Sequence, residues 1–130
     1  MRRLLACFAL AAVACSGEQG PVAGELSIRI ATPRASDRAI EFVLTGTQSG
    51  VTAAPGSGYL VFATRSAAGD TTRVVVAAPS TGGISAGEVA RISVADVRKA
   101  SSYSVKLNDV AAANYSVGDT AGVTLTVVRP

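Results

Sequence analysis

The sequence predicts an all-β protein built as an antiparallel β-sandwich of about seven to nine short strands. Apolar and polar residues alternate with period two through most of residues 25–130, as they do in strands that bury one face. Residues that favour turns separate these runs. No segment sustains the 3.6-residue apolar spacing of an amphipathic helix, so strands are the predicted main elements of the domain.

Seven segments carry the alternation and are predicted as strands. In chain order they are 25–31, 40–45, 59–64, 71–78, 88–94, 103–107 and 123–127. Pro33 ends the first, because proline cannot donate to a strand ladder. Residues 46–58 are rich in glycine and are predicted to form one long loop, and residues 95–101 a single helical turn.

The place of each aromatic residue in this alternation predicts its burial. Phe42 and Phe62 fall in phase with the apolar rows, so both are predicted to pack in the core. Tyr103 is in phase with the sixth strand and is predicted to pack with its hydroxyl group at an edge. Tyr115 lies in a predicted loop and is the first candidate for an exposed ligand contact, with Tyr59 as the second.

The amino-terminal residues have the order of a secretory signal peptide. Arg2 and Arg3 precede a mostly apolar run at 4–13. A run of about ten residues suits the apolar part of a signal and is too short for a transmembrane helix, which needs about 20. Ala12-Val13-Ala14 then provides a small-x-small cleavage site directly before Cys15. Residues 1–14 are therefore predicted to be a signal peptide.

The run from Ala11 to Cys15 resembles the lipobox of bacterial lipoproteins, although Ala12 stands where leucine is favoured. The resemblance implies lipidation of Cys15 and anchoring of the chain in a membrane. Two or three acyl chains give a lasting anchor, whereas one gives only marginal binding. In some bacteria, an aspartate directly after this cysteine favours retention in the inner membrane. Ser16 stands there instead, so the resemblance implies the outer membrane. Ordinary cleavage after Ala14, which leaves a free thiol, is the alternative.

The organisation that follows has three parts. Residues 1–14 are the signal peptide, residues 15–24 are the lipidated cysteine and a flexible tether, and residues 25–130 are one β-sandwich domain. Of 12 basic residues, two leave with the signal, so ten face nine acidic residues and the net charge falls from +3 to +1. This balance gives no indication of nucleic-acid binding. Because Cys7 also leaves with the signal, the domain is predicted to have no disulfide.

Several segments of the domain resemble the carboxy-terminal half of cohesin-like domains. They are GEVARISVADV at 87–97, Asn114-Tyr115 and GVTLTV at 122–127. The resemblance implies a cohesin-like or immunoglobulin-like sandwich of the carbohydrate-binding-module type, as found in exported bacterial proteins. The domain is shorter than the usual cohesin, at about 106 residues, and Ala95 stands where relatives often have proline. A dockerin partner does not follow from the resemblance.

The composition argues against catalysis. The domain contains no His, no Trp and no Cys, which removes histidine acid–base chemistry, cysteine nucleophiles and Cys/His zinc sites. The carboxylates are spread along the turns and strand edges, and Asn108, Asp109 and Asp119 are better explained as turn formers than as calcium ligands. No catalytic residue, metal site or cofactor is predicted.

The sequence therefore predicts a non-catalytic, lipid-anchored cell-envelope protein with a binding or interaction domain. A sheet face, an edge strand or the 46–58 loop is the expected binding surface. The expected partners are the membrane, through the lipid, and a protein or a polysaccharide. A carbohydrate-binding module is one alternative, and Tyr115 and Tyr59 are its possible contacts. A structural envelope lipoprotein without a small ligand is the other.

Overall fold

The computed structural model describes residues 20–130, so the predicted signal peptide and Cys15 lie outside it. The described part contains eight β-strands and one short 3-10 helix, Val97–Ser102. The strands are β1 (Gly24–Ala31), β2 (Ala39–Thr45), β3 (Gly50–Ala53), β4 (Leu60–Arg65), β5 (Thr71–Ala77), β6 (Gly87–Val94), β7 (Ser104–Ala111) and β8 (Thr124–Val128).

The strands form two four-stranded sheets. The first sheet has the order β3-β6-β1-β8 and the second has the order β4-β5-β2-β7. Every pairing is antiparallel. The sheets pack face to face, with β3 near β4 at one side and β7 near β8 at the other. The predicted all-β antiparallel sandwich is confirmed.

The core lies between the sheets and is built from the apolar rows of the central strands. Alternate residues point inward because successive side chains of a strand lie on opposite faces. Each fully buried apolar side chain of this size contributes about 1.5–3 kcal/mol relative to exposure. The largest fully buried side chains are Phe42, Leu26, Ile28, Ile40, Leu44, Ile84, Ile92, Val74, Val76 and Val89.

Two irregular positions shift the phase of this alternation. In β7, Asp109 pairs with Glu41 but Leu107 pairs with Phe42, so Asn108 is an extra residue. This bulge lets β7 continue to Ala111, beyond the predicted end of the strand at 107, and places Val110 in the core. In β6 the extra residue is Val89, which explains why Val89 and Ala90 are buried in succession.

The structure corrects the prediction that Phe62 lies in the core, because its side chain is 61% exposed. This segment is a strand, as predicted, but the face that points to the core is the one opposite to Phe62. Phe62 pairs with Val75 and Val61 pairs with the fully buried Val76. Since directly paired residues share a face, Val61 points to the core and Phe62 points outward.

The predicted loop at 46–58 also contains a strand. Residues Gly50–Ala53 form β3, which pairs with β6 at the edge of the first sheet. Four residues with one large apolar side chain give too little alternation to be recognised in the sequence. The predicted single helical turn is present as the 3-10 helix.

Gly83 gives a test of how the loops at the end of the sandwich pack. A Cβ at Gly83 would lie 2.0 Å from the carbonyl oxygen of Ala35, whereas the nearest atom to a Cβ at Gly82 is 3.6 Å away. We expect Gly83→Ala to lower the free energy of unfolding by about 1–3 kcal/mol, measured by urea denaturation, because the backbone must move. Gly82→Ala is the control, and equal stability of the two variants would contradict this packing.

Candidate functional site

The two ends of the sandwich differ in what they carry. The end where β1 begins, here called the N-terminal end, holds residues 20–23, 46–49, 66–70 and 95–103. The opposite, distal end holds the connections at 32–38, 54–59, 78–86 and 112–123. Both predicted ligand contacts, Tyr115 and Tyr59, lie at the distal end, away from the amino terminus.

Tyr115 projects from a tight loop between β7 and β8. The amide of Tyr115 donates to the carbonyl of Ala112 at 2.8 Å, and the amide of Ala112 donates to the carbonyl of Ser116 at 2.8 Å. These bonds hold Tyr115 at φ 65°, in the left-handed region that residues other than glycine seldom occupy. The side chain is 71% exposed, as predicted for this residue.

Arg38 fixes the ring of Tyr115 from the neighbouring connection. Its guanidinium carbon lies 5.4 Å from the ring centroid, within the range of a cation–π contact. One Nη2 group donates to the Tyr115 hydroxyl at 3.1 Å and to the carbonyl of Pro79 at 3.0 Å. Arg38 therefore ties three distal connections together and orients the tyrosine.

An open groove of about 250 Å³ runs beside Tyr115 on the outer face of the second sheet. Its apolar lining includes Ala39, Val75, Ala111 and Val117. Two carboxylates, Glu41 and Asp109, line it as a directly opposed pair on adjacent strands. Arg73 lies 3.4 Å from the carboxylate of Glu41. Like charges placed opposite each other in a sheet are unfavourable, so this pair favours a cation in the groove.

Tyr59 lies in a different setting. It is half-buried and packs against the core. Its hydroxyl accepts from the amide of Ser85 at 3.3 Å and lies 3.4 Å from the Ser85 hydroxyl. Tyr59 does not line the groove beside Tyr115, so the structure does not bring the two candidate tyrosines into one site.

The outer face of the first sheet is covered by polar and charged side chains. Arg91 bridges Glu88 at 2.8 Å and Glu25 at 3.3 Å. The Ser27 hydroxyl donates to Glu88 at 2.5 Å and has no solvent exposure. Burial opposes the ionisation of Glu88, but hydrogen bonds from Ser27 and Arg91 outweigh it and lower the pKa.

The outer face of the second sheet is apolar over its distal half. Leu60 is 57% exposed and Phe62 is 61% exposed on β4, and Val117 beside the groove is 84% exposed. Val75 lies between Phe62 and the groove, since it pairs with the first and lines the second. Leu60, Phe62, Val75, Tyr115 and Val117 are together called the apolar surface below.

Sequence reasoning found Tyr115 but missed most of this surface. The alternation predicts an inward Phe62, and Val117 has no periodic partner in the sequence. Arg38 is 77 residues from Tyr115, so no local pattern connects them. The sequence signal that was available is that Val61 is apolar as well, so the pattern of this strand leaves both faces open as the inward one.

Most of the described carboxylates engage arginines or backbone amides. Arg34 lies 3.3 Å from Asp37, and Asp119 accepts from the amide of Ala121 at 2.8 Å. Asp109 lines the groove, and Asp119 lines none of the groove wall. Within residues 20–130, no three Asp, Glu, Cys or His side chains are grouped so as to hold a metal ion. The same part of the chain has no helix with the length and apolar character to span a bilayer.

At the N-terminal end, Asp96 holds residues 20–22 on the domain. Its Oδ1 accepts from the amides of Val22 at 3.3 Å and Arg98 at 3.1 Å. The guanidinium of Arg98 donates to Asp96 at 2.9 Å and to the carbonyl of Gly20 at 2.9 Å. The predicted tether at 16–24 is thus fixed to the domain from Gly20 onward, because Val22 also accepts from the amide of Val97.

Comparisons with protein-family models, with curated proteins and with solved structures found no match for this chain. The resemblance to cohesin-like domains stays a prediction, and so does the lipobox, which falls outside the described residues.

The contacts of Asp96 predict a specific pH dependence. Hydrogen bonds from Arg98 hold the pKa of Asp96 well below its ordinary value of 3.8. The ionised group therefore stabilises the fold above pH 3.8, and this is lost as the pH falls through the lower pKa of the folded state. We expect Asp96→Asn to lose less free energy of unfolding than the wild type between about pH 5 and about pH 2, measured by urea denaturation at each pH. The slope of that free energy against pH should fall by up to the equivalent of about one bound proton.

The exposed Asp70, at the same end of the sandwich, gives the matched control. Asp70→Asn should follow the wild-type profile. If Asp96→Asn also keeps the wild-type slope, Asp96 does not hold the amino terminus through its charge.

Proposed function

We propose that this chain is a non-catalytic, lipid-anchored cell-envelope protein whose β-sandwich binds a protein partner through the apolar surface and the groove. One observation carries the proposal: the outer faces of the two sheets differ. Ion pairs cover the first sheet around Arg91, whereas the second exposes Leu60, Phe62 and Val117 by more than half of each side chain. Contiguous exposed apolar surface on a small domain is typical of an interaction site.

The charges beside the apolar surface define the chemistry of the partner. Glu41 and Asp109 form an opposed acidic pair in the groove. Of these two carboxylates, Glu41 has an arginine beside it and Asp109 has none among the ion pairs of residues 20–130. A partner segment with apolar side chains and one lysine or arginine complements both features, because its cation relieves the like-charge pair. Tyr115, held by Arg38, forms one wall for this segment.

The position of the amino terminus supports presentation of this site away from a membrane. Asp96 and Arg98 fix residues 20–22 at the N-terminal end, and the groove lies at the distal end. If Cys15 is lipidated, the five steps from Cys15 to Gly20 span at most about 17 Å. The lipobox and Ser16 support an exported, outer-membrane location, and the groove then faces away from that bilayer.

A carbohydrate-binding module is the second candidate, and one observation favours it. Phe62 and Tyr115 are both exposed and lie on either side of Val75, and aromatic side chains on a sheet face are a surface on which a sugar ring stacks. The protein partner is preferred because Arg38 already lies over the Tyr115 ring. A structural envelope role without a small ligand is the third candidate.

A photo-crosslinker at Val117 tests the protein partner in intact cells. Val117 is 84% exposed beside the groove, so a benzoylphenylalanine there should give a discrete adduct whose partner is identified by mass spectrometry. Thr126, exposed on the first sheet, is the control position and should give none. We expect Tyr115→Ala to reduce the adduct at least about tenfold, since hot-spot tyrosines contribute about 2 kcal/mol or more, and Tyr115→Phe to keep most of it.

The outcomes separate the three candidates. Absence of an adduct together with Tyr115-dependent retention on envelope polysaccharides contradicts the protein partner and favours the carbohydrate-binding module. Absence of both favours the structural role.

Lipidation of Cys15 has its own test. In cell fractionation, the wild-type chain should remain with the membranes and carry an acyl mass on Cys15. Cys15→Ser should move most of the protein into the soluble fraction, because acyl burial of about 0.8 kcal/mol per methylene group is lost. Ala12→Leu, which restores the favoured lipobox residue, is the control and should stay membrane-bound. Unchanged membrane association of Cys15→Ser would overturn the lipid anchor.

A further inference from the structure

The strand β4 is an unprotected sheet edge. It lies at the end of the second sheet, and β5 is its only paired neighbour among residues 20–130. Five of its six residues are exposed, and it contains no proline, no bulge and no charge except Arg65 at its end. Edge strands of this kind present free backbone N–H and C=O groups to an incoming strand.

The other three edges carry features that block such pairing. The edge strand β3 has four residues. The edge strand β7 is bent by the bulge at Asn108 and exposes Lys106 and Asp109. The edge strand β8 is followed directly by Arg129 and Pro130. Because short edges, bulges, charges and proline all oppose strand addition, β4 is the edge that accepts it.

We propose that two copies of this chain pair through β4 in an antiparallel arrangement, with Phe62 on the two-fold axis. Opposed residues in an antiparallel pair lie on the same face. In a symmetric antiparallel dimer, two directly opposed residues must therefore both have odd numbers or both have even numbers. The residue midway between them then lies opposite the same residue of the second copy, on the two-fold axis. Centring β4 on Phe62 pairs residues 60–64 with one another and keeps Arg65 at the margin.

This register makes the strand complementary to itself. Leu60 lies opposite Thr64 of the second copy on the outer face, and Val61 lies opposite Ala63 on the inner face. No charged residue opposes a like charge, and the exposed Phe62 rings meet at the centre. The second copy is the preferred occupant because β4 supplies its own complement, and the pairing joins the four-stranded second sheets of both copies into one continuous sheet.

The contact predicts a weak dimer that a membrane strengthens. Five paired residues with two large apolar side chains bury less than the roughly 1,200 Å² of a standard interface. Lipid anchoring confines both copies to one membrane and raises their effective concentration. This strengthening rests on the proposed function, of which the lipid anchor is a part. The two-fold axis is perpendicular to the sheet, so both amino termini reach one membrane when the sheets lie parallel to it. With the first sheet toward the bilayer, the groove on the outer face of the second sheet still faces away from the membrane. The pairing itself does not require the binding function.

Cysteines introduced one at a time into the full chain, which keeps its own Cys15, test the register in cells. On the two-fold axis, the Cα atoms of position 62 in the two copies are about 4.5–5.5 Å apart, within disulfide range. Position 63 is offset, and its Cα atoms are more than about 7 Å apart, which a disulfide does not bridge. After mild oxidation, we expect Phe62→Cys to give at least tenfold more disulfide-linked dimer than Ala63→Cys, or than Thr126→Cys on the first sheet.

A second variant removes the dimer without cysteine chemistry. Phe62→Lys places two like charges together on the axis at a position that is 61% exposed, so the fold should survive, as checked by circular dichroism. The dimer fraction in native mass spectrometry of the detergent-purified full chain should fall at least tenfold, while Thr126→Lys leaves it unchanged. Equal cross-linking at positions 62 and 63, or a wild-type monomer throughout, overturns the pairing. The Tyr115-dependent adduct at Val117 is scored separately, so failure of either proposal is recognisable.

Discussion

The pairing of β2 with β5 is the interaction on which the rest of the second sheet depends. It sets Phe42 opposite Val74 and Ile40 opposite Val76, and all four side chains are buried. A shift of one residue would move each of these rows to the outer face. Once this register is fixed, Val75 must point outward, and every strand added to either side inherits the same division between faces. The exposed groove and the buried core are thus two consequences of one register.

The sequence was sufficient to predict the fold class and most strands because alternation is a local property. Phe42 shows the pattern and is buried as predicted. Phe62 shows the same pattern but points outward, since alternation defines two faces and leaves the inward one to tertiary pairing. The bulge at Asn108 and the short β3 were not predicted, because both are defined by a partner strand far away in sequence.

The candidate site was less predictable than the fold. Tyr115 stood out because it is the aromatic residue of a loop, but its conformation depends on long-range contacts. Arg38 reaches it across 77 residues, and Val75 reaches the groove from β5. Sites on connecting loops are assembled by such contacts from segments that a sheet brings together. A single sequence therefore indicated one member of the site and left the others to the structure.

The contrast between the two outer faces has a physical explanation in the side chains that cover each sheet. The first sheet contains β1, and its outer face carries the long charged side chains that bury Ser27. Long arginine and glutamate stems of this kind shield a sheet from water and from further partners. Among residues 20–130, the second sheet has no comparable cover over its distal half, where Val75, Tyr115 and Val117 lie. Its free surface and its unprotected β4 edge therefore occur on the same sheet, and a strand added at β4 would extend the face that already carries the groove.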